Sequence, residues 1–154
     1  MGKDEALQLQ VNQAIDTIGQ AFPEDHAITT GNYKPDALVI ILDISTEWDG
    51  DNAYSAGFYL EEFLAHLSEQ LNEKKAFKKN LNSIIIILNK KDLTSAEKIL
   101  KWKTAIELLL QNKLSYSFGA KTKDILVMPC TLLEGQDGGK SANLVITTLA
   151  LAFS

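Results

Sequence analysis

The chain has 154 residues, of which 45% are hydrophobic and 23% charged, the composition of an ordinary globular domain with enough length to bury a core unaided by disulfides or metals. Its cations are all lysine, 15 against 20 Asp and Glu for a net charge of −5, so the guanidinium fork that reads phosphates and guanine edges is missing and nucleic acid is not an expected partner. One cysteine, Cys130, and two histidines, His26 and His66, offer neither an internal disulfide nor a metal-ligand spacing.

The N-terminus, MGKDEALQLQ, lacks the apolar stretch of a secretion signal, and no apolar run reaches the roughly 18 residues that span a bilayer. The expectation is a single cytoplasmic domain over residues 1–154, without membrane association. Leu7, Val11, Ala14, Ile15, Ile18 and Phe22 recur at helical spacing and predict a helix over 4–21 that Pro23 ends. The alternation Leu7, Leu9, Val11, with Gln8 and Gln10 between, fits a strand as the competing reading. Glu24 to Lys34 shows no periodicity and reads as a loop or short edge strand.

Three short apolar runs then predict strands covered on both faces: ALVIILDI from Ala37, SIIIIL from Ser83 and ILVM from Ile125. Between them, Leu60, Phe63, Leu64, Leu67 and Leu71 form one helical stripe, and Ile99, Trp102, Ile106, Leu109 and Leu110 form another. Thr94-Ser95-Ala96-Glu97 has capping-box spacing, with Thr94 as the cap. The lysines at 74, 75, 78 and 79 read as a solvated helix end, and residues 143–153 as a terminal helix after Gly138-Gly139. Strands alternating with helices predict an α/β layered sandwich with a mostly parallel sheet, reduced or incomplete because only three strands are evident.

In such sheets ligands bind beyond the carboxyl ends of the strands. The most specific signal there is Asn89-Lys90-Lys91-Asp92-Leu93, directly after SIIIIL. This resembles the guanine-specificity motif of the Ras-like small GTPases. The resemblance implies that Asp92 would accept the two adjacent N–H donors of guanine, that the Lys90 stem would lie along the base and that Asn89 would tie the turn to its neighbours. Adenine offers no such donor pair and would leave the carboxylate unsatisfied. Cys130-Thr131-Leu132 is similar to the family's second base-contacting segment, with Thr131 and Leu132 in the contacting positions. The strand ending at Asp43 resembles the family's middle strand.

The chain departs from the family upstream. Nothing before Asn89 matches the Gly-x-x-x-x-Gly-Lys-Ser/Thr loop whose amides cradle phosphates and whose hydroxyl reaches magnesium. Asp16-Thr17-Ile18-Gly19-Gln20 resembles the family's catalytic switch, yet it also fits the interior of the first helix. Gly139-Lys140-Ser141 would close a phosphate loop, leaving Lys140 and Ser141 as weak phosphate-binding candidates, but Glu134 stands where the opening glycine is needed. The expected function is a pseudo-GTPase or protein-interaction module, with GTP or GDP as the only candidate ligands and a partner protein or self-association expected. The alternatives are the C-terminal portion of an active GTPase completed by another chain, or a receiver-like domain with Asp43 as phosphoacceptor. The acidic turn Trp48 to Asn52 lacks the closing glutamate of a calcium loop.

Overall fold

The structure, a computed structural model, describes residues 22–48, 55–118 and 124–131, with positions 143 and 147. In chain order these contain α1 (Pro23–Tyr33), β1 (Ala37–Asp43), α2 (Ala56–Glu73), α3 (Lys75–Asn80), β2 (Ser83–Asn89), a 3-10 turn (Lys91–Leu93), α4 (Ala96–Phe118) and β3 (Asp124–Pro129). The predicted helix over 4–21 lies outside the described residues. Of the predicted terminal helix only Asn143 and Thr147 are described, both helical.

The branched residues of the three apolar runs favour extended backbone, and the runs pair as a parallel sheet in the order β1-β2-β3. The register aligns Ile40 with Ile86 and Ile86 with Val127, so each row of aligned side chains points to one face. On one face, Ile40, Leu42, Ile84, Ile86 and Leu88 share a core with the buried stripes of α2 and α4. Both crossover helices therefore cover the same side, as sequential strands joined by crossovers of one hand require. On the opposite face Ile85 and Ile87 are buried with Met128 and Cys130. Val39 and Ile41 on that same face are 39% and 55% exposed, so the expectation that β1 is covered on both sides does not hold. A run of aliphatic residues marks a strand, but it does not say that every strand of the sheet has two covering layers.

The stretch 24–34, expected as loop or edge strand, is helical through Tyr33 as part of α1, with Lys34 as its C-cap. Pro23 starts this helix; its fixed φ and missing N–H suit the first turn, where Glu24 and Asp25 also meet the positive helix pole. The buried side consists of His26, Ala27, Thr30 and Gly31, without one large aliphatic side chain. That small face lets α1 lie close along α2. A Cβ on Gly31 would stand 2.6 Å from the Gln70 side chain. His26 meets Tyr59, and Lys74 donates to Asn32 at 2.7 Å, so the two helices run side by side in the same direction. Lys34 closes α1 in the left-handed conformation, φ 50°, its N–H bonded to the Thr30 carbonyl.

Ser55 caps α2 by accepting from the Phe58 amide at 3.2 Å. At the start of α4 the cap is Ser95 and not Thr94, since Ser95 Oγ accepts from the Lys98 amide at 3.2 Å. Thr94 Oγ donates instead to the carbonyls of Lys90 and Ile44 at 3.1 and 3.3 Å, spending its hydroxyl on the strand ends. Among the described residues no helix is long and apolar enough to cross a membrane.

Candidate functional site

The carboxyl ends of β1, β2 and β3 meet at one edge of the molecule, and backbone hydrogen bonds hold them together. The Ile44 amide donates to the Asn89 carbonyl at 3.2 Å, and the Cys130 amide to the Leu88 carbonyl at 2.8 Å. The Lys91 amide reaches across to the Cys130 carbonyl at 3.1 Å. These contacts extend the strand pairing beyond the sheet and fix where the Asn89 to Asp92 turn can go.

The turn itself requires a reversal directly after β2. Lys90 provides it by adopting the left-handed conformation, φ 65°, which is costly for a side chain with a Cβ. The Lys90 amide donates to Asn89 Oδ1 at 2.9 Å, so the asparagine side chain supports the reversed residue from within the turn. Asp92 follows in the 3-10 turn with its side chain at the surface, where Thr131 Oγ1 donates to Asp92 Oδ1 at 3.2 Å. Asn89, Lys90, Asp92 and Thr131 are thus gathered from two strand ends. Leu132, Lys140 and Ser141, the other sequence candidates, lie outside the described residues, as does Asp16 to Gln20.

The centre of the arrangement is a residue that the guanine-binding pattern does not include. Asp43, the last residue of β1, accepts at Oδ1 from the Ser45 amide at 3.0 Å and the Ser45 hydroxyl at 2.6 Å, while Lys90 Nζ donates to Oδ2 at 2.5 Å. Partial burial works against its charge, but the Lys90 and Ser45 hydrogen bonds outweigh that and hold the carboxyl below its ordinary range. The Lys90 ammonium therefore points back over the β1 terminus. A signal for this pairing was present in the sequence, an acid at the end of one strand and a lysine just after the next, and parallel neighbours in register bring such positions together.

Beside this edge lies a cleft of about 450 Å³ lined by Glu47, Trp48, Lys98, Lys101, Trp102 and Ala105. Lys98 borders both regions, donating to the Ser45 carbonyl at 3.3 Å and to Glu47 at 2.8 Å. Trp48 is wedged between helices, edge-to-face with Trp102 at 4.9 Å and resting on Gly57. Among the described residues no group of three or more His, Cys, Asp or Glu is placed to hold a metal ion.

No known family, curated protein or solved structure matches the chain. The functional reading accordingly rests on the turn and its neighbours.

Proposed function

We propose that this is a GTPase-like α/β domain that retains the base-side turn of a guanine-nucleotide site without a phosphate-binding loop, and that it works as a pseudo-GTPase, a module for protein interaction. The observation that carries this reading is the joint placement of Asn89, Lys90 and Asp92 after the middle strand of a parallel sheet, with Thr131 of the next strand hydrogen-bonded to Asp92. The Asp43 to Lys90 pair supports the non-catalytic side of the proposal. It draws the Lys90 ammonium back over the β1 terminus, so that the turn is tied to the sheet by the protein's own groups.

Nucleotide affinity in a working site comes largely from backbone amides and magnesium around the phosphates, and stabilisation of phosphoryl transfer comes from the same place. A chain with only the base-side turn has neither. A cytoplasmic setting fits the buried thiol of Cys130, the chain's only cysteine. The experiment is calorimetric titration of the full chain with GTP and GDP, with and without magnesium, alongside a phosphate-release assay. The expected result is no magnesium-dependent binding and no hydrolysis. Micromolar or tighter magnesium-dependent GTP binding would overturn the proposal in favour of an active GTPase fragment.

A further inference from the structure

The sheet face turned away from the helices is covered unevenly. One row across it runs Val39, Ile85, Leu126 and the next runs Ile41, Ile87, Met128. In the first row the outer side chains are both 39% exposed and the middle one 0%; in the second the values are 55%, 2% and 7%. Side chains stand roughly perpendicular to a sheet, so neighbours in a row shield one another's flanks and leave the tips open. Flanking strands alone therefore do not bury Ile85 and Ile87 completely. Among the described residues nothing lies over this face, since the core that α1, α2, α3 and α4 share is on the other. Another part of the chain must rest on β2 and on the carboxyl half of β3.

We propose that the segment after β3, residues 141–153, docks there as a helix and closes the second face of the sheet. Position separates it from the other stretches outside the described residues, 1–21, 49–54 and 119–123. Residues 49–54 run from Trp48, packed on Trp102, to the Ser55 cap of α2, both in the helical layer. Residues 119–123 join α4 to the amino end of β3, whereas the burial extends to Met128 and Cys130 at its far end. Residues 1–21 lead into α1. On α2, Tyr59 and Gln70 meet α1 while Glu61 and Ser68, on the opposite side, meet α4, so α1 flanks the sheet beyond β1. A segment arriving from that flank passes β1 before β2 and would cover Val39 and Ile41, which stay exposed. The segment after β3 instead departs beside Cys130, at the covered end. Asn143 and Thr147 are helical and exposed, four positions apart on one side of a helix. At 100° per residue the opposite side carries Val145, Leu149 and Ala152, an apolar stripe suited to the aliphatic rows beneath. A helix about 10 Å across spans about two strands spaced about 4.8 Å apart, which leaves β1 half-bare.

Thiol labelling of the native full chain with a maleimide tests this. In a Cys130→Ser background, Asn143→Cys and Thr147→Cys are expected to react quickly, and Val145→Cys and Leu149→Cys roughly tenfold or more slowly, the difference vanishing in urea. With Cys130 kept as the only thiol, Val145→Asp/Leu149→Asp is expected to speed its modification by a similar factor, while Val11→Asp/Ile15→Asp leaves it near the wild-type rate. Native labelling at Val145→Cys as fast as at Thr147→Cys overturns the proposal, whether or not the acidic variants fold. So does a Cys130 rate that Val145→Asp/Leu149→Asp fails to raise, or that Val11→Asp/Ile15→Asp raises as much.

Discussion

Asp43 holds two strand ends with one carboxylate, taking the β1 turn on one oxygen and the Lys90 ammonium on the other. Because its carboxyl titrates lower in the folded chain than in the unfolded one, it stabilises the fold above the ordinary carboxylate range, and that contribution fades as pH falls through the lowered value. Asp43→Asn should therefore cost about 1 kcal/mol at neutral pH, the scale of a half-exposed pair, with the gap to wild type closing in acid. Urea unfolding across a pH series measures it. Gly57 is constrained for a different reason. A Cβ there would sit 2.5 Å from the Trp48 carbonyl and 2.9 Å from its ring, so the wedge between α2 and α4 would have to move. Gly57→Ala should lose about 1–2 kcal/mol, overpacking outweighing the better helix propensity of alanine. Gly31→Ala meets the movable end of Gln70 first and should stay within about 1 kcal/mol of wild type. A positional demand of this kind is not legible in the sequence, because it depends on what another segment brings opposite the glycine.

At the level of elements, α1 docks closely on α2 through small and polar side chains, the best formed contact being His26 Nδ1 with the Tyr59 hydroxyl at 2.6 Å. Burial pushes the Tyr59 phenol up to about 12. The stability tied to keeping that phenol neutral is complete below the ordinary tyrosine value and is lost as pH rises toward about 12. Tyr59→Phe should cost about 1 kcal/mol at neutral pH, speed hydrogen exchange in α1 and flatten the alkaline decline in stability. The same small, polar interface explains why α1 escaped a reading based on periodicity. Helices α2 and α4 announce themselves through leucine, isoleucine and aromatic stripes, whereas α1 hides its core-facing side in His26, Ala27, Thr30 and Gly31. The cap of α4 is one residue later than expected because Thr94 donates to the Lys90 and Ile44 carbonyls, the second of which comes near only once the strand ends are assembled.

For the molecule as a whole, the parallel sheet is asymmetric in what it costs to damage. Ile86, at the centre of β2 and fully buried against the helical layer, should lose about 2–5 kcal/mol on Ile86→Ala, enough to threaten folding. Ile41→Ala on β1, at a position 55% exposed, should change the urea midpoint little. Strand identity, strand direction and the layered architecture were all legible, since unbroken branched runs separated by amphipathic helices admit few arrangements. The placement of Asn89, Lys90 and Asp92 at and just beyond the β2 terminus was legible too. The engagement of Lys90 by Asp43 left only a general signal, an acid ending one strand and a lysine just after the next, because the pairing itself is fixed by the register of β1 on β2. Cys130 gives this edge a built-in reporter. Its side chain is 1% exposed, while its amide and carbonyl clamp Leu88 and Lys91. An alkylating reagent reaches the sulfur when this buried cluster opens, and an opening that lifts the end of β3 also releases the turn after β2. The rate at which iodoacetamide modifies the native protein therefore sets an upper limit on how often the end of β3 comes away from Leu88 and Lys91.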